Sequence, residues 1–254
     1  MLTCGRLITC STDQIGDFAV TITAESPKLR AALAAAALVE SGMVVGLGSG
    51  STAALMVRRL GERAEDEGLK IIAVATSVAT ADLGRSLNIA IRELDDVAAL
   101  DINLDGADEI DPHFQMIKGR GGALLREKIV ATASRNRVTM ITADKRVQRL
   151  GMIVPIPVEV SPIGAKHTER RLQQLDARTT IRTLPDGSPY LTDGGNKIID
   201  CRFASVDDPT VLDRQIQCVA GVLETGLFLD LCDTLIVGTE SGVERFENPE
   251  RSRA

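Results

Sequence analysis

Aromatic side chains are almost missing from this chain, whose 254 residues hold no Trp, one Tyr (Tyr190) and five Phe. Stacking platforms for bases are therefore scarce, and a formal net charge of −6 repels a polyanion, so no nucleic-acid partner is expected. Ala, Val, Leu and Ile must fill the interior through many small contacts instead. Histidine is as rare: His113 and His167 stand in unrelated contexts. No apolar run approaches the roughly 18 residues that cross a bilayer; the longest, around Ala31 to Val39, is Ala-rich and helical in pattern, so no membrane partner is expected. Five cysteines at irregular spacing fit neither a disulfide framework nor a zinc site, which predicts a reducing, cytoplasmic setting. The first two dozen residues lack a basic start and an apolar stretch and are Arg-poor, so residues 1–25 read as an extension or loose strand rather than a targeting signal.

What remains is an ordinary globular composition, 44% hydrophobic and 25% charged. Ser26 and Pro27 open a helix as cap and first residue, with Gly42 as its stop. Met43–Leu47 reads as a buried strand, Thr52–Glu67 as an amphipathic helix ending at Gly68, Lys70–Ala75 as a strand, and Val78–Ser86 as a helix. Ile89–Ile91 and Leu100–Leu104 are strands, Gly121–Arg135 is a helix and Val138–Thr142 a strand. This alternation predicts an α/β, Rossmann-like, mostly parallel sheet with helices on both faces. Near Gly151 the rhythm changes with Pro155, Pro157 and Pro162. From Ile156 the order is strand, helix, strand, strand, helix, strand, ending at Val222–Phe228, the pattern of a smaller ferredoxin-like α+β domain. The expected organisation is an extension (1–25), a catalytic α/β domain (26–150 and 229–254) that Asp233–Val237 rejoins as a strand, and a small domain (151–228). The tail from Asn248 looks frayed.

Three segments carry chemistry. GLGSGSTA (Gly46–Ala53) leaves a strand and opens a helix, so backbone N–H groups and the hydroxyls of Ser49, Ser51 and Thr52 can cradle a phosphate. A tight glycine turn with a helix cap is the plainer alternative. Gly48, Gly50 and Ala53 also fit a relaxed dinucleotide spacing, but the next strand ends in Thr76 and Ser77, where a ribose-binding carboxylate is expected. A nucleoside-triphosphate loop would need a Lys that is absent from this run. DGADEID (Asp105–Asp111) stands at a strand end, where open parallel sheets place ligand groups; Glu109 and Asp111 read as a solvated acidic turn. KGRGGALLREKI (Lys118–Ile129) joins a Lys, a glycine-rich turn and a helix bearing Glu127 about two turns in. Alone, Glu127 would count as a surface charge.

Taken together, GLGSGSTA, TSVAT, DGADEID, KGRGGALLREKI and the late GLF and IVGTESGV segments resemble the A-type ribose-5-phosphate isomerases, in order, from about Pro27 to Arg245. The resemblance implies interconversion of ribose 5-phosphate and ribulose 5-phosphate with no metal and no cofactor. It implies Glu127 as catalytic base, with Asp105, Asp108 and Lys118 as further active-site groups. Ser49, Gly50, Ser51 and Thr52 would bind phosphate; Gly106, Ala107, Gly119, Arg120, Gly121, Lys145 and Lys28 would complete the substrate contacts. Ser49 stands where many members have Thr, and Asp144 where Ser is common. The family also suggests a homodimer or homotetramer. The rival readings are a sugar-phosphate-sensing module without catalysis, which would have little need of Glu127 plus Lys118, and a related isomerase or group-transfer enzyme for another substrate.

Overall fold

A computed structural model describes residues 26–250; the expected extension, with Cys4 and Cys10, lies outside them. In chain order the elements are α1 (Pro27–Ala36), β1 (Val44–Leu47), α2 (Ser51–Asp66), β2 (Ile72–Ala75), α3 (Val78–Ser86), β3 (Ala90–Ile91), β4 (Leu100–Gly106), β5 (Glu109–Ile110), β6 (Met116–Ile117), α4 (Leu124–Thr132) and β7 (Ser134–Thr142). They continue as β8 (Ile156–Val160), α5 (Ala165–Gln173), β9 (Arg178–Ile181), β10 (Lys197–Arg202), α6 (Pro209–Gln217), β11 (Val222–Thr225), β12 (Leu227–Phe228), β13 (Thr234–Gly238) and β14 (Val243–Glu247).

Seven strands form the large sheet in the order β14-β13-β7-β4-β1-β2-β3, parallel except for β14. Helices α1 to α3 cover one face around Val45, Leu47, Met56, Leu60 and Leu104, all fully buried. On the other face α4 packs through Val130 on Val74 and Leu100. As the scarcity of aromatics requires, the core is mostly aliphatic: Ala31, Ala32, Ala35 and Ala36 put a helix face of methyl groups against the sheet. The chain returns as expected, with β13 pairing β7 in parallel. A four-stranded antiparallel sheet, β11-β8-β10-β9, carries α5 and α6 with the ferredoxin-like connection.

Several local expectations need correction. Ser26 does cap α1, accepting from the Leu29 N–H at 3.3 Å, but the helix stops at Ala36; Gly42, with φ +94°, lies in a separate later turn that the Met43 N–H closes on the Glu40 carbonyl. Helix α4 is shorter than Gly121–Arg135, because Gly119 (φ +106°) and Gly122 (φ +79°) form a turn and Ser134 already pairs with Leu100. Glu127 therefore lies in the first turn of α4. The predicted strand Val222–Phe228 breaks at Gly226, whose N–H and carbonyl bond Pro157 and Lys118. Its second part, β12, joins β6 and β5 in a third sheet that the sequence pattern does not announce. Asn248 is buried, donating to the Cys232 carbonyl at 2.9 Å, so the chain is ordered there and β14 forms the sheet edge before it.

Candidate active site

The carboxyl ends of β1, β4 and β7 open on a cavity of about 410 Å³. Each wall has a local cause. After β1 the chain must pass close to β4: a Cβ on Gly48 would overlap the Asp105 carboxylate. The loop then enters α2 through Gly50 (φ +93°), with no side chain capping the helix. The first helical bond runs from the Ala54 N–H to the Gly50 carbonyl, so the preceding N–H groups of the first turn have no helical acceptor and are available to an anion. Ser49 exchanges a hydrogen bond with Thr76 (2.7 Å), and Lys28 reaches Ser51 Oγ at 3.3 Å from α1.

At the end of β4 the Asp105 carboxylate accepts from the Ser49 and Gly106 N–H groups at 3.2 and 2.7 Å. Lys118 leaves β6, held by its N–H on the Gly226 carbonyl, so the third sheet is what delivers it. Its Nζ donates to the Gly106 carbonyl and stands 3.0 Å from Asp105 Oδ2 and 3.4 Å from Glu127 Oε2. Both carboxylate oxygens are buried and neither is aligned for a hydrogen bond, so the attraction is Coulombic. Phe228 closes the cluster from below, its ring centroid 5.3 Å from that ammonium.

The electrostatics separate these groups. Burial pushes the Glu127 carboxyl up to about 8; the Lys118 ammonium pulls it down, and the Asp105 and Asp108 carboxylates add to the rise. Burial alone would depress Lys118, yet Asp105 and Glu127 hold it above the ordinary lysine range. Burial lowers Lys145, with the Lys118 and Lys28 charges adding to the fall against Asp108. Lys145 donates to the Ala107 carbonyl from the short 3-10 turn Ala143–Lys145.

Of the residues singled out from sequence, Lys28, Ser49, Gly50, Ser51, Thr52, Gly106, Ala107 and Asp108 line the cavity, as do Lys118, Gly119, Arg120, Gly121, Glu127 and Lys145. Asp105 stands behind Lys118 rather than on the wall. Thr142 and Asp144 also line it and were not singled out as ligand groups; their signal is position, at the carboxyl end of β7. The acidic turn needs correction. Glu109 is fully buried, and its carboxylate accepts from the Gly151, Ile153 and Val154 N–H groups at 2.7, 2.5 and 2.6 Å. Asp111 ties its own turn through the His113 and Gln115 N–H groups.

A carboxyl able to exchange its proton near neutrality, opposite an ammonium that keeps its own, is the layout of an acid–base site for a small anion. Comparison with known proteins makes the assignment particular: residues 72–242 match the model of the family "Ribose 5-phosphate isomerase A (phosphoriboisomerase A)", and the chain belongs to that family. The ribose-5-phosphate isomerase A of Thermomicrobium roseum is 50% identical over 224 residues, covering 88% of this chain and 94% of the relative. That of a Jannaschia species is 47% identical over 221 residues, covering 85% and 84%. The solved ribose 5-phosphate isomerase A from Methanocaldococcus jannaschii superposes with TM-score 0.84 at 38% identity, over 89% of this chain and 100% of that one. A D-ribose-5-phosphate isomerase in complex with phospho-erythronic acid gives TM-score 0.84 at 38% identity, over 87% and 97%.

Proposed function

We propose that this protein is an aldose-ketose isomerase interconverting D-ribose 5-phosphate and D-ribulose 5-phosphate through an enediolate. The observation that carries the reading is the buried Glu127 carboxyl on the cavity wall, with one oxygen unbonded and 3.4 Å from the Lys118 ammonium. In its ionised form Glu127 takes the proton from C2; the C–H pair becomes the C1–C2 double bond and the carbonyl pair moves to O1. The O2 proton then passes to O1 as the carbonyl re-forms at C2, and Glu127 returns its proton to C1. Lys118 and N–H groups of the Gly119–Gly122 turn hold the oxygen charge. Asp105 and Asp108 orient hydroxyls, one of them assisting ring opening. The Ser49–Thr52 loop with Lys28 and Lys145 anchors the phosphate, which positions C1 and C2. Phospho-erythronic acid, the ligand of the related structure, has a planar carboxylate where an enediolate carries its charge, a chemistry that supports this reading.

We assign residues 26–150 with 229–254 to the catalytic unit and 151–228 to the smaller one. A homodimer or homotetramer would use exposed apolar residues of the latter such as Leu223, whereas Leu227 is buried in the core. A cytoplasmic setting suits the free thiols of Cys201 and Cys232, both buried and both pushed up to about 12 by that burial. The test is to incubate metal-free protein with ribose 5-phosphate in D₂O and follow ribulose 5-phosphate and deuterium at the exchanging carbon. Turnover only of a six-carbon phosphate, or none, would overturn the assignment.

A further inference from the structure

The Gly119–Gly122 turn is gripped from outside the cavity. Arg182, just past β9, donates from Nη1 to two consecutive carbonyls, Gly119 at 2.9 Å and Arg120 at 3.0 Å. Its Nε and Nη2 meanwhile form a two-pronged pair with Asp200 of β10 at 2.9 and 2.5 Å. That fork is planar, so fixing one edge on Asp200 aims the other. The next carbonyl, Gly121, accepts from the Tyr190 hydroxyl at 3.0 Å, and the Arg182 guanidinium lies 5.7 Å from the Tyr190 ring centroid. A Cβ on Gly122 would collide with that phenol, so the turn and the ring interlock. Three successive carbonyls thus face Arg182 and Tyr190. In a trans peptide the following N–H points the opposite way. The Arg120 N–H goes to Asp108 Oδ2 (2.9 Å) and the Gly122 N–H closes the turn on Gly119. The Gly121 N–H has no acceptor among the described residues, and Gly121 lines the cavity.

We propose that Arg182, braced by Asp200 and seconded by Tyr190, is a positioning residue of the reaction: it orients the Arg120–Gly121 peptide so that the Gly121 N–H faces the oxygen that becomes negative. This rests on the isomerase reading above. Arg182 is not among the residues that line the cavity, and the phosphate anchor proposed above is the Ser49–Thr52 loop, so the expected effect is on the chemical step rather than on binding of the phosphate.

The experiment compares wild type with Arg182→Gln combined with Asp200→Asn, which leaves no carboxylate unpaired, and with Tyr190→Phe, which removes one oxygen. Outright loss of an oxyanion donor costs about 10²–10³-fold in kcat, so its misorientation in the double variant should cost about 10–100-fold, and Tyr190→Phe about 3–10-fold, with KM within about threefold. Inhibition by phospho-erythronic acid should weaken in step with kcat while inhibition by inorganic phosphate stays put. Arg182→Lys, able to reach a carbonyl but not to fork, should recover part of the loss. Should the double variant fail to fold, Tyr190→Phe carries the same test alone. Unchanged kcat in the folded variants, or equal weakening of both inhibitors, overturns the positioning role while leaving the isomerase reading intact. An inactive wild type overturns both.

Discussion

Two glutamates, Glu109 and Glu127, are both buried, yet they do opposite things. Glu109 sits under the 151–154 loop with three backbone N–H groups on its carboxylate, and no hydrogen-bonding demand is left over. Glu127 has the same side chain at nearly the same burial, but one oxygen has no hydrogen bond and its neighbours are two carboxylates and one ammonium. On the proposed isomerase reading, burial alone does not mark the working carboxyl; burial with hydrogen bonds withheld does. The first arrangement fastens a loop. The second leaves a carboxyl whose burial pushes it up to about 8.

The contrast breaks most sharply at Glu127 itself. Glu127→Gln should lower kcat by about 10²–10⁴-fold, the usual span for a general base, while ribose 5-phosphate still binds; solvent deuterium uptake with wild-type kinetics would end the base assignment. Glu109→Ala should do the reverse. Leaving three buried N–H groups without a charged acceptor should cost at least about 3 kcal/mol of stability in denaturant unfolding, with kcat of the folded fraction within about twofold; a catalytic defect without a stability loss would erase the distinction. The smallest effect is in pH. Because the folded Glu127 pKa is raised from 4.5 to about 8, the native state binds more protons than the unfolded chain across that window. Stability from this group therefore falls as pH rises through it. Glu127→Gln removes that slope, so its melting temperature should gain on wild type between pH 5 and 8. Over the same window kcat/KM of wild type should climb toward a plateau above about 8; a flat profile would place the working base elsewhere.

Most of the fold was readable because it depends on local periodicity. Val78–Ser86 is a helix as expected, and the strands ending in Leu47, Asp105–Gly106 and Thr142 put the glycine run and the acidic run on one sheet edge. What escaped depends on distant partners. The β5-β6-β12 sheet is built from pairs of residues too short to show a period, yet it holds Lys118. Glu109 reads as solvated until the 151–154 loop folds over it. Arg182 and Tyr190 look like ordinary surface residues in sequence, since their targets are backbone carbonyls some sixty or more positions away and backbone atoms leave no letter to read, and Asp200 matters only through its pair with Arg182. The lining of the cavity was visible in the motifs, whereas its supports were not.

The scarcity of aromatics has an optical side. With no Trp and a single Tyr in the whole chain, intrinsic ultraviolet emission of this protein comes essentially from Tyr190, whose hydroxyl donates to the Gly121 carbonyl of the turn that lines the cavity. Ligand arrival at that loop should change the emission of one unlabelled residue, without a dye or a tag.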